Sequence, residues 1–114
     1  MIGVIFELEP KLASKDAYFK KSGDLKPILE AIDGFISIER FQSINNPNRF
    51  LSLSFWRDEN AIKSWRNQTD HRKSQKAGRD SWFDYYRLRV VSVIRDYSKS
   101  EREQAPEDSR KIFS

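Results

Sequence analysis

The fold is decided by residues 35–56, which have the sequence FISIERFQSINNPNRFLSLSFW. Apolar and polar residues alternate on both sides of Asn45-Asn46-Pro47-Asn48, as they do in strands that bury one face. Asn and Pro at four successive positions are typical of a tight turn. The stretch therefore predicts an antiparallel hairpin, with one strand over residues 35–44 and the next over residues 49–56.

A strand and a helix are predicted before the hairpin. Residues 2–8 alternate as a strand that Pro10 ends. Ser14 is the expected N-cap of a helix whose apolar residues follow at helical spacing. That helix is interrupted by Gly23 and Pro27, so we expect a kinked helix or two short ones.

A second helix and a last strand are predicted after the hairpin. Asp58 is the expected N-cap of the helix, which buries Ile62 and Trp65, and Thr69 or Asp70 restarts a helical segment that fades near Gly78. Residues 85–97 are rich in β-branched side chains and form the last predicted strand.

This order of elements is βαββαβ, which predicts an α+β, ferredoxin-like fold with a four-stranded antiparallel sheet and both helices on one face. The strands carry apolar residues on both faces, for example Leu51, Leu53 and Phe55 on one side of the third strand and Phe50 and Trp56 on the other. Helices can cover only one face and a lone subunit would expose the other, so we expect a homodimer that pairs sheet against sheet. We assign residues 1–97 to this domain and residues 98–114 to a flexible or partner-draping tail.

Composition limits the class of protein. The chain has 114 residues, enough for one domain, and no Cys, which excludes disulfides and thiolate sites. Its net charge is +4, but acidic and basic residues alternate along the chain, so we expect no nucleic-acid partner. No apolar run approaches the ~20 residues of a membrane span. We expect a soluble, cytoplasmic protein with no membrane contact.

Several strings resemble the antibiotic-biosynthesis monooxygenase domains of the dimeric α+β barrel superfamily. Residues 34–41 (GFISIERF) are similar to the second strand of that family, and residues 51–56 (LSLSFW), followed by Trp65 and His71, are similar to its third strand and second helix. Residues 86–97 resemble its last strand. The resemblance implies a ferredoxin-like dimer with a pocket between the helices and the sheet of each subunit.

The resemblance implies two catalytic candidates. Trp65 matches the helix-two Trp that lines the family's pocket, although it is equally interpretable as a core residue. His71 is the only His of the chain, so any chemistry that uses an imidazole has to involve this residue. A neutral imidazole accepts a proton from a phenol or hydroquinone. The alternative is a surface His with no catalytic role.

Five further residues are candidates for binding the substrate. Aromatic walls would come from Trp82, Phe83 and Tyr86, and a polar partner for a phenolate from Arg40 or Gln75. For Trp82 and Phe83, simple packing is the favoured interpretation.

Cofactors are not expected, and haem is the one that the resemblance raises. Haem-degrading members have an Asn in the first strand and a ligand His about ten residues after the helix Trp. Here the first strand has no Asn and the tenth residue after Trp65 is Gln75, so haem degradation is disfavoured while haem binding stays open. One His without Cys gives no recognisable metal spacing, and no Gly-rich phosphate loop is present.

The resemblance thus implies a cofactor-independent monooxygenase acting on a small aromatic, phenolic or quinol substrate. The alternatives are a non-catalytic dimer that binds a small ligand or haem, and an interaction module with a collapsed pocket. A cavity beside Trp65 would separate the first two hypotheses from the third.

Overall fold

A computed structural model gives the fold of the protein and describes residues 1–68 and 82–113. Its elements in chain order are β1 (Ile2–Pro10), α1 (Lys15–Glu30), β2 (Phe35–Gln42), β3 (Phe50–Trp56), α2 (Glu59–Arg66), β4 (Phe83–Ser92) and α3 (Glu107–Phe113). The first six elements have the predicted order βαββαβ. The ferredoxin-like α+β fold is therefore confirmed.

The four strands form one antiparallel sheet in the order β2-β3-β1-β4. Because side chains alternate across a strand, one face of the sheet carries Leu8 and Trp56, which are 0% and 2% exposed. Leu29 of α1 and Ala61 of α2 pack with Trp56 in one buried cluster. Both helices therefore cover the same face of the sheet, as predicted.

The helix α1 is continuous over 16 residues, through both Gly23 and Pro27. The sequence predicts either one kinked helix or two short ones, and the prediction of two short helices is wrong. A proline in the interior of a helix removes one backbone hydrogen bond, but the stripe of residues on either side of it still lies against the sheet. Within the described residues, no helix is long and apolar enough to cross a membrane.

Two strands end earlier than the sequence indicates. β4 stops at Ser92, not at residue 97, because its partner β1 begins at Ile2, opposite Ser92. Only one more backbone bond follows, from the N–H of Val93 to the carbonyl of Met1. β2 stops at Gln42, since the turn of the hairpin closes with the N–H of Ser43 donating to the carbonyl of Arg49.

Asp58 caps α2, as predicted. Its carboxylate accepts the backbone N–H of Ala61 at 3.0 Å, and it pairs with Arg57 at 3.0 Å. The hydrogen bond from Ala61 and the contact with Arg57 hold the pKa of the Asp58 carboxyl below its ordinary value. Arg57 also reaches Asp33 at 3.1 Å, so it joins the end of α1 to the start of α2.

The C-terminal segment forms local structure of its own. The N–H of Asp96 donates to the side chain of Gln104 at 2.8 Å, and the guanidinium of Arg102 lies 5.2 Å from the ring centre of Tyr97. Ala105 is buried, and α3 follows it. The role of residues 98–114 as a partner-draping tail stays a prediction.

We predict opposite effects on stability for two glycine-to-alanine changes. Gly34 has φ +93°, and a Cβ there would lie 2.7 Å from the Cβ of Ala61. Gly34→Ala should therefore lower the free energy of unfolding by about 2–4 kcal/mol. Gly23 lies inside α1 with no atom within 4 Å of an added Cβ, so Gly23→Ala should raise it by about 0.5–1 kcal/mol. Urea unfolding measures both, and equal stability of the two variants would contradict the assignment.

Candidate functional site

A cavity of about 550 Å³ lies between the helices and the sheet. Its lining is mostly apolar and includes residues from α1, α2 and all four strands. This volume lies within the range of small-molecule sites, which are lined by apolar and aromatic side chains with a few polar groups. The cavity is therefore large enough for a drug-sized ligand.

The cavity exists because β3 has small side chains beneath α1. Ser52 and Ser54 lie on the helix-facing side of this strand, between the large residues Phe50 and Trp56. Ser54 is buried and its Oγ accepts a hydrogen bond from the indole N–H of Trp56 at 2.9 Å. This bond satisfies the indole, and the short side chains leave space above the strand.

A polar cluster of Tyr18, Ser22 and Arg40 lies at one side of the cavity. The guanidinium of Arg40 donates to the Oγ of Ser22 and stacks over two rings, 4.8 Å from the centre of Phe19 and 5.9 Å from that of Tyr18. Burial raises the pKa of the Tyr18 phenol, while the charge of Arg40 and a hydrogen bond from Ser22 lower it. Burial has the largest effect, so Tyr18 is a neutral phenol at pH 7.

Aromatic rings close the end of the cavity near the start of α1. The ring of Tyr18 meets Phe83 edge to face at 4.9 Å and Trp82 at 6.0 Å. Phe6 in turn lies 5.8 Å from Phe83. Such contacts stabilise more than their buried area alone, so this wall is well ordered by its own packing.

The opposite end of the cavity is closed by Trp65 of α2. Trp65 packs against the buried cluster of Leu29, Trp56 and Ala61 and also lines the cavity. The two interpretations of this residue, core and pocket wall, therefore describe the same position.

The predicted site residues fall into three groups. Arg40, Trp65, Trp82 and Phe83 line one cavity. Tyr86 lies outside that lining, 40% exposed, with its ring centre 5.9 Å from that of Phe83. His71 and Gln75 lie outside the described residues. The catalytic or binding role of each remains a prediction.

Comparison with known proteins identifies the family. Residues 1–77 match the sequence profile of the family described as antibiotic biosynthesis monooxygenase, which is more than half of the chain. The chain belongs to this family.

Two curated relatives are similar to the chain in sequence. The chain is 41% identical over 101 residues to jasmonate monooxygenase ABM of Pyricularia oryzae, a match that covers 89% of this chain and 47% of that protein. It is 32% identical over 62 residues to the uncharacterized protein YqjZ of Bacillus subtilis, covering 54% of this chain and 53% of that protein. The chain thus spans about half the length of these curated relatives.

A solved structure shows the likeness in fold. A protein from Deinococcus radiodurans superimposes with a TM-score of 0.76, at 10% sequence identity, over 86% of this chain and 97% of the other. At this level of identity the superposition shows a shared fold alone.

Apart from Arg40, the polar residues of this family member's cavity are not among the predicted site residues. By its spacing Tyr18 belongs to the apolar stripe of α1, and Ser22, Ser52 and Ser54 are not predicted to line a site. One signal was present, since Tyr18 and Ser22 are four residues apart and so share a helix face. The position of Arg40 beside them depends on the register of β2, which the sequence does not specify.

The described lining offers few ligands for a metal or haem. It contains no His, Cys or Met, which are among the usual axial ligands of haem iron. Within residues 1–68 and 82–113, no group of three or more His, Cys, Asp or Glu could hold a metal ion. Of the residue types that bind haem iron axially, the described lining contains Tyr, at Tyr18.

We predict an alkaline loss of stability that depends on Tyr18. Because burial raises the pKa of Tyr18 in the folded state above 10.0, its stabilising effect is present below pH 10 and is lost as pH rises through the folded pKa. Tyr18→Phe keeps the ring but has no ionisable group. Above pH 10, the urea midpoint of the wild type should therefore fall relative to that of Tyr18→Phe. A difference that stays constant from pH 8 to pH 11 would contradict this assignment.

Proposed function

We propose that the chain is a cofactor-independent monooxygenase that acts on a small aromatic, phenolic or quinol substrate. The observation that carries this proposal is the cavity, whose lining is mainly apolar and has one hydrogen-bonded polar cluster, Tyr18-Ser22-Arg40. An apolar site with a few convergent polar groups is typical of enzymes that position a small organic substrate. Membership of a monooxygenase family supports the reaction class.

The proposed chemistry needs an electron-rich anion and molecular oxygen. In an anthrone-like phenol, loss of the phenolic proton gives an anion that passes an electron to O₂ and then combines with the reduced oxygen at carbon. Loss of water leaves a carbonyl group, so the substrate gains one oxygen atom and loses two hydrogens. The second oxygen atom leaves with those hydrogens as water. The protein has to stabilise the anion and hold it away from bulk water.

The residues divide these tasks. The neutral phenol of Tyr18 and the guanidinium of Arg40 lie at the cavity and can donate hydrogen bonds to a phenolate oxygen. Trp65, Trp82 and Phe83 form the walls against which an aromatic ring packs. We assign the proton-accepting step to His71 on the basis of the family resemblance, with Gln75 and Tyr86 as further contacts to the substrate.

A second candidate substrate comes from the relative of Pyricularia oryzae, which is named a jasmonate monooxygenase and is 41% identical to this chain. Jasmonate has no phenol to ionise, so the anionic step described above would not apply to it. A third possibility is that the same cavity binds a small ligand or haem without catalysis. Oxygen consumption distinguishes the catalytic proposals from this last one.

We predict oxygen uptake in the presence of an anthrone-like phenol or a hydroquinone and no added cofactor. His71→Ala should lower the rate by about 10²–10⁴-fold, since this is the usual contribution of a general base. Lys63→Ala, a change on the exposed side of α2, serves as the control and should leave the rate unchanged. An oxygen electrode measures all three proteins, and uptake by His71→Ala equal to that of wild type would contradict the role of His71.

We also propose that the chain forms a homodimer through the face of the sheet opposite the helices. The register places Ile5, Leu53 and Phe55 on this face. An ion pair of Arg89 with Glu7 at 2.7 Å lies on the same face. An apolar patch bordered by charged residues is typical of an interface between subunits, and the twofold arrangement is the commonest.

We predict that the protein has twice the mass of its 13.5 kDa chain in solution. Leu53→Lys places a charge at the centre of the opposite face and should shift the mass to that of one chain. Ile44→Lys is the matched control, because Ile44 lies in the hairpin turn and is 98% exposed. Light scattering after gel filtration measures each mass. A wild-type mass of 13.5 kDa at micromolar concentration would contradict the dimer.

A further inference from the structure

The floor of the cavity changes from charged to apolar across the sheet. One row of paired residues runs from Arg40 on β2 through Ser52 on β3 and Phe6 on β1 to Leu88 on β4. Neighbouring strands are ~4.8 Å apart, so this row spans about 14 Å. A ligand lying along the row therefore meets a cation at one end and hydrocarbon at the other.

The next row of paired residues in the floor is apolar at both ends. It runs from Ile38 through Ser54 and Val4 to Val90. Leu88 and Val90 line the cavity although they are 49% and 54% exposed, so the apolar end over β4 is open. Exposed apolar side chains inside a cavity are typical of a surface that a ligand covers.

The charged end has a second cation that has no acidic partner among the described residues. Lys21 lies on the cavity-facing stripe of α1, one residue before Ser22, and is half-buried. Of the other cavity lysines, Lys26 pairs with Glu30 at 3.9 Å. Within the described chain, neither Lys21 nor Arg40 has a carboxylate within ion-pair distance, whereas Arg49, Arg57 and Arg89 all do.

The charge balance of the lining is also positive. Within residues 1–68 and 82–113, four cationic residues line the cavity, Lys21, Lys26, Arg40 and Arg66, against the single carboxylate of Glu39. Glu39 pairs with Leu53, which places its side chain on the opposite face of the sheet from the helices. Among the described residues, the charged side chains directed into the cavity from its lining are therefore all cationic.

Arg40 is held in position before any ligand arrives. Its Nη2 donates to Ser22, and its plane packs over Phe19. A guanidinium has five N–H donors in a rigid fork, so most of them remain for a ligand after the bond to Ser22. Such a fork matches the two oxygens of a carboxylate, which it binds through two parallel hydrogen bonds.

From these positions we infer that the substrate is an amphipathic carboxylate. Its carboxylate binds between Arg40 and Lys21 over β2, and its apolar body extends across Ser52 and Phe6 to Leu88 on β4. This inference rests on the proposed function, because it names the substrate class of the same site. It makes Arg40 and Lys21 the residues that determine specificity. Lys21 is separate from the residues assigned above to the oxidation, whereas Arg40 would serve both the carboxylate and the anion.

The test compares two probes that share one ring system and differ in charge, 6-hydroxy-2-naphthoate and its methyl ester, by calorimetric titration of the full chain. The wild type should bind the acid about tenfold or more tightly than the ester, since a charge-assisted hydrogen bond is worth roughly this factor. Arg40→Gln and Lys21→Gln should each lose most of this preference, and Lys21→Gln should bind the ester as the wild type does, because Lys21 has no role in holding the phenol. Arg40→Lys should retain part of it, because the charge remains and the fork is lost.

A control variant and a stability measurement distinguish the loss of a contact with the ligand from the loss of the folded state. Lys63→Gln removes an exposed cation of α2 that does not line the cavity and should keep the full preference for the acid. Thermal unfolding checks each variant, and Lys21→Gln carries the test if Arg40→Gln does not fold. Equal binding of the acid and the ester by the wild type would overturn the inference.

Oxygen uptake is measured separately, so the two proposals fail independently. Oxygen uptake with phenols that bind equally well as the acid and as the ester would support the monooxygenase proposal. The same result would contradict the inference that the substrate is a carboxylate. Preference for the acid without uptake of oxygen by any probe would support the carboxylate site and contradict the proposed oxidation.

Discussion

The space beneath α1 is limited by the side chains that the four strands direct toward it, and at the centre of β3 these are two serines. A helix packs at about 10 Å from a sheet because large apolar side chains fill the gap. Here Phe50 and Trp56 fill it at the two ends of β3, while Ser52 and Ser54 leave its middle open. The cavity, its aromatic ends and its polar cluster all depend on this combination of large and small residues along one strand.

The two ends of the cavity are held by different forces. At the α2 end, Trp65 packs on the buried cluster around Trp56, so this wall belongs to the core. At the other end, rings from α1 and β4 contact one another edge to face, with Tyr18 between Trp82 and Phe83. The two ends are thus maintained by packing, and the polar cluster of Tyr18, Ser22 and Arg40 lies where the cavity meets β2. This separation allows the chemistry of a ligand to be selected without weakening the fold.

The sequence was sufficient for the order of elements, because alternation in residues 35–56 and the cap at Asp58 are local signals. It was insufficient where an element depends on a distant partner. β4 ends at Ser92 because its partner β1 begins at Ile2, opposite Ser92, and Arg40 reaches Ser22 because the register of β2 brings it there. The predicted wall residues Trp65, Trp82 and Phe83 all line the cavity. Tyr18 also lines it but is not predicted as a site residue, because it belongs to an otherwise apolar stripe of α1.

Because Ser54 accepts a hydrogen bond from the Trp56 indole, the two serines of the cavity floor differ in the substitutions that they tolerate. Replacing Ser54 would leave a buried N–H without an acceptor, which costs about 1–3 kcal/mol in a domain with little stability to lose. The hydroxyl of Ser52 has no such bond among the described residues, so a larger residue there fills empty space. Homologous proteins can therefore shorten or reshape the cavity one step at a time at the position of Ser52, while the position of Ser54 changes only together with Trp56.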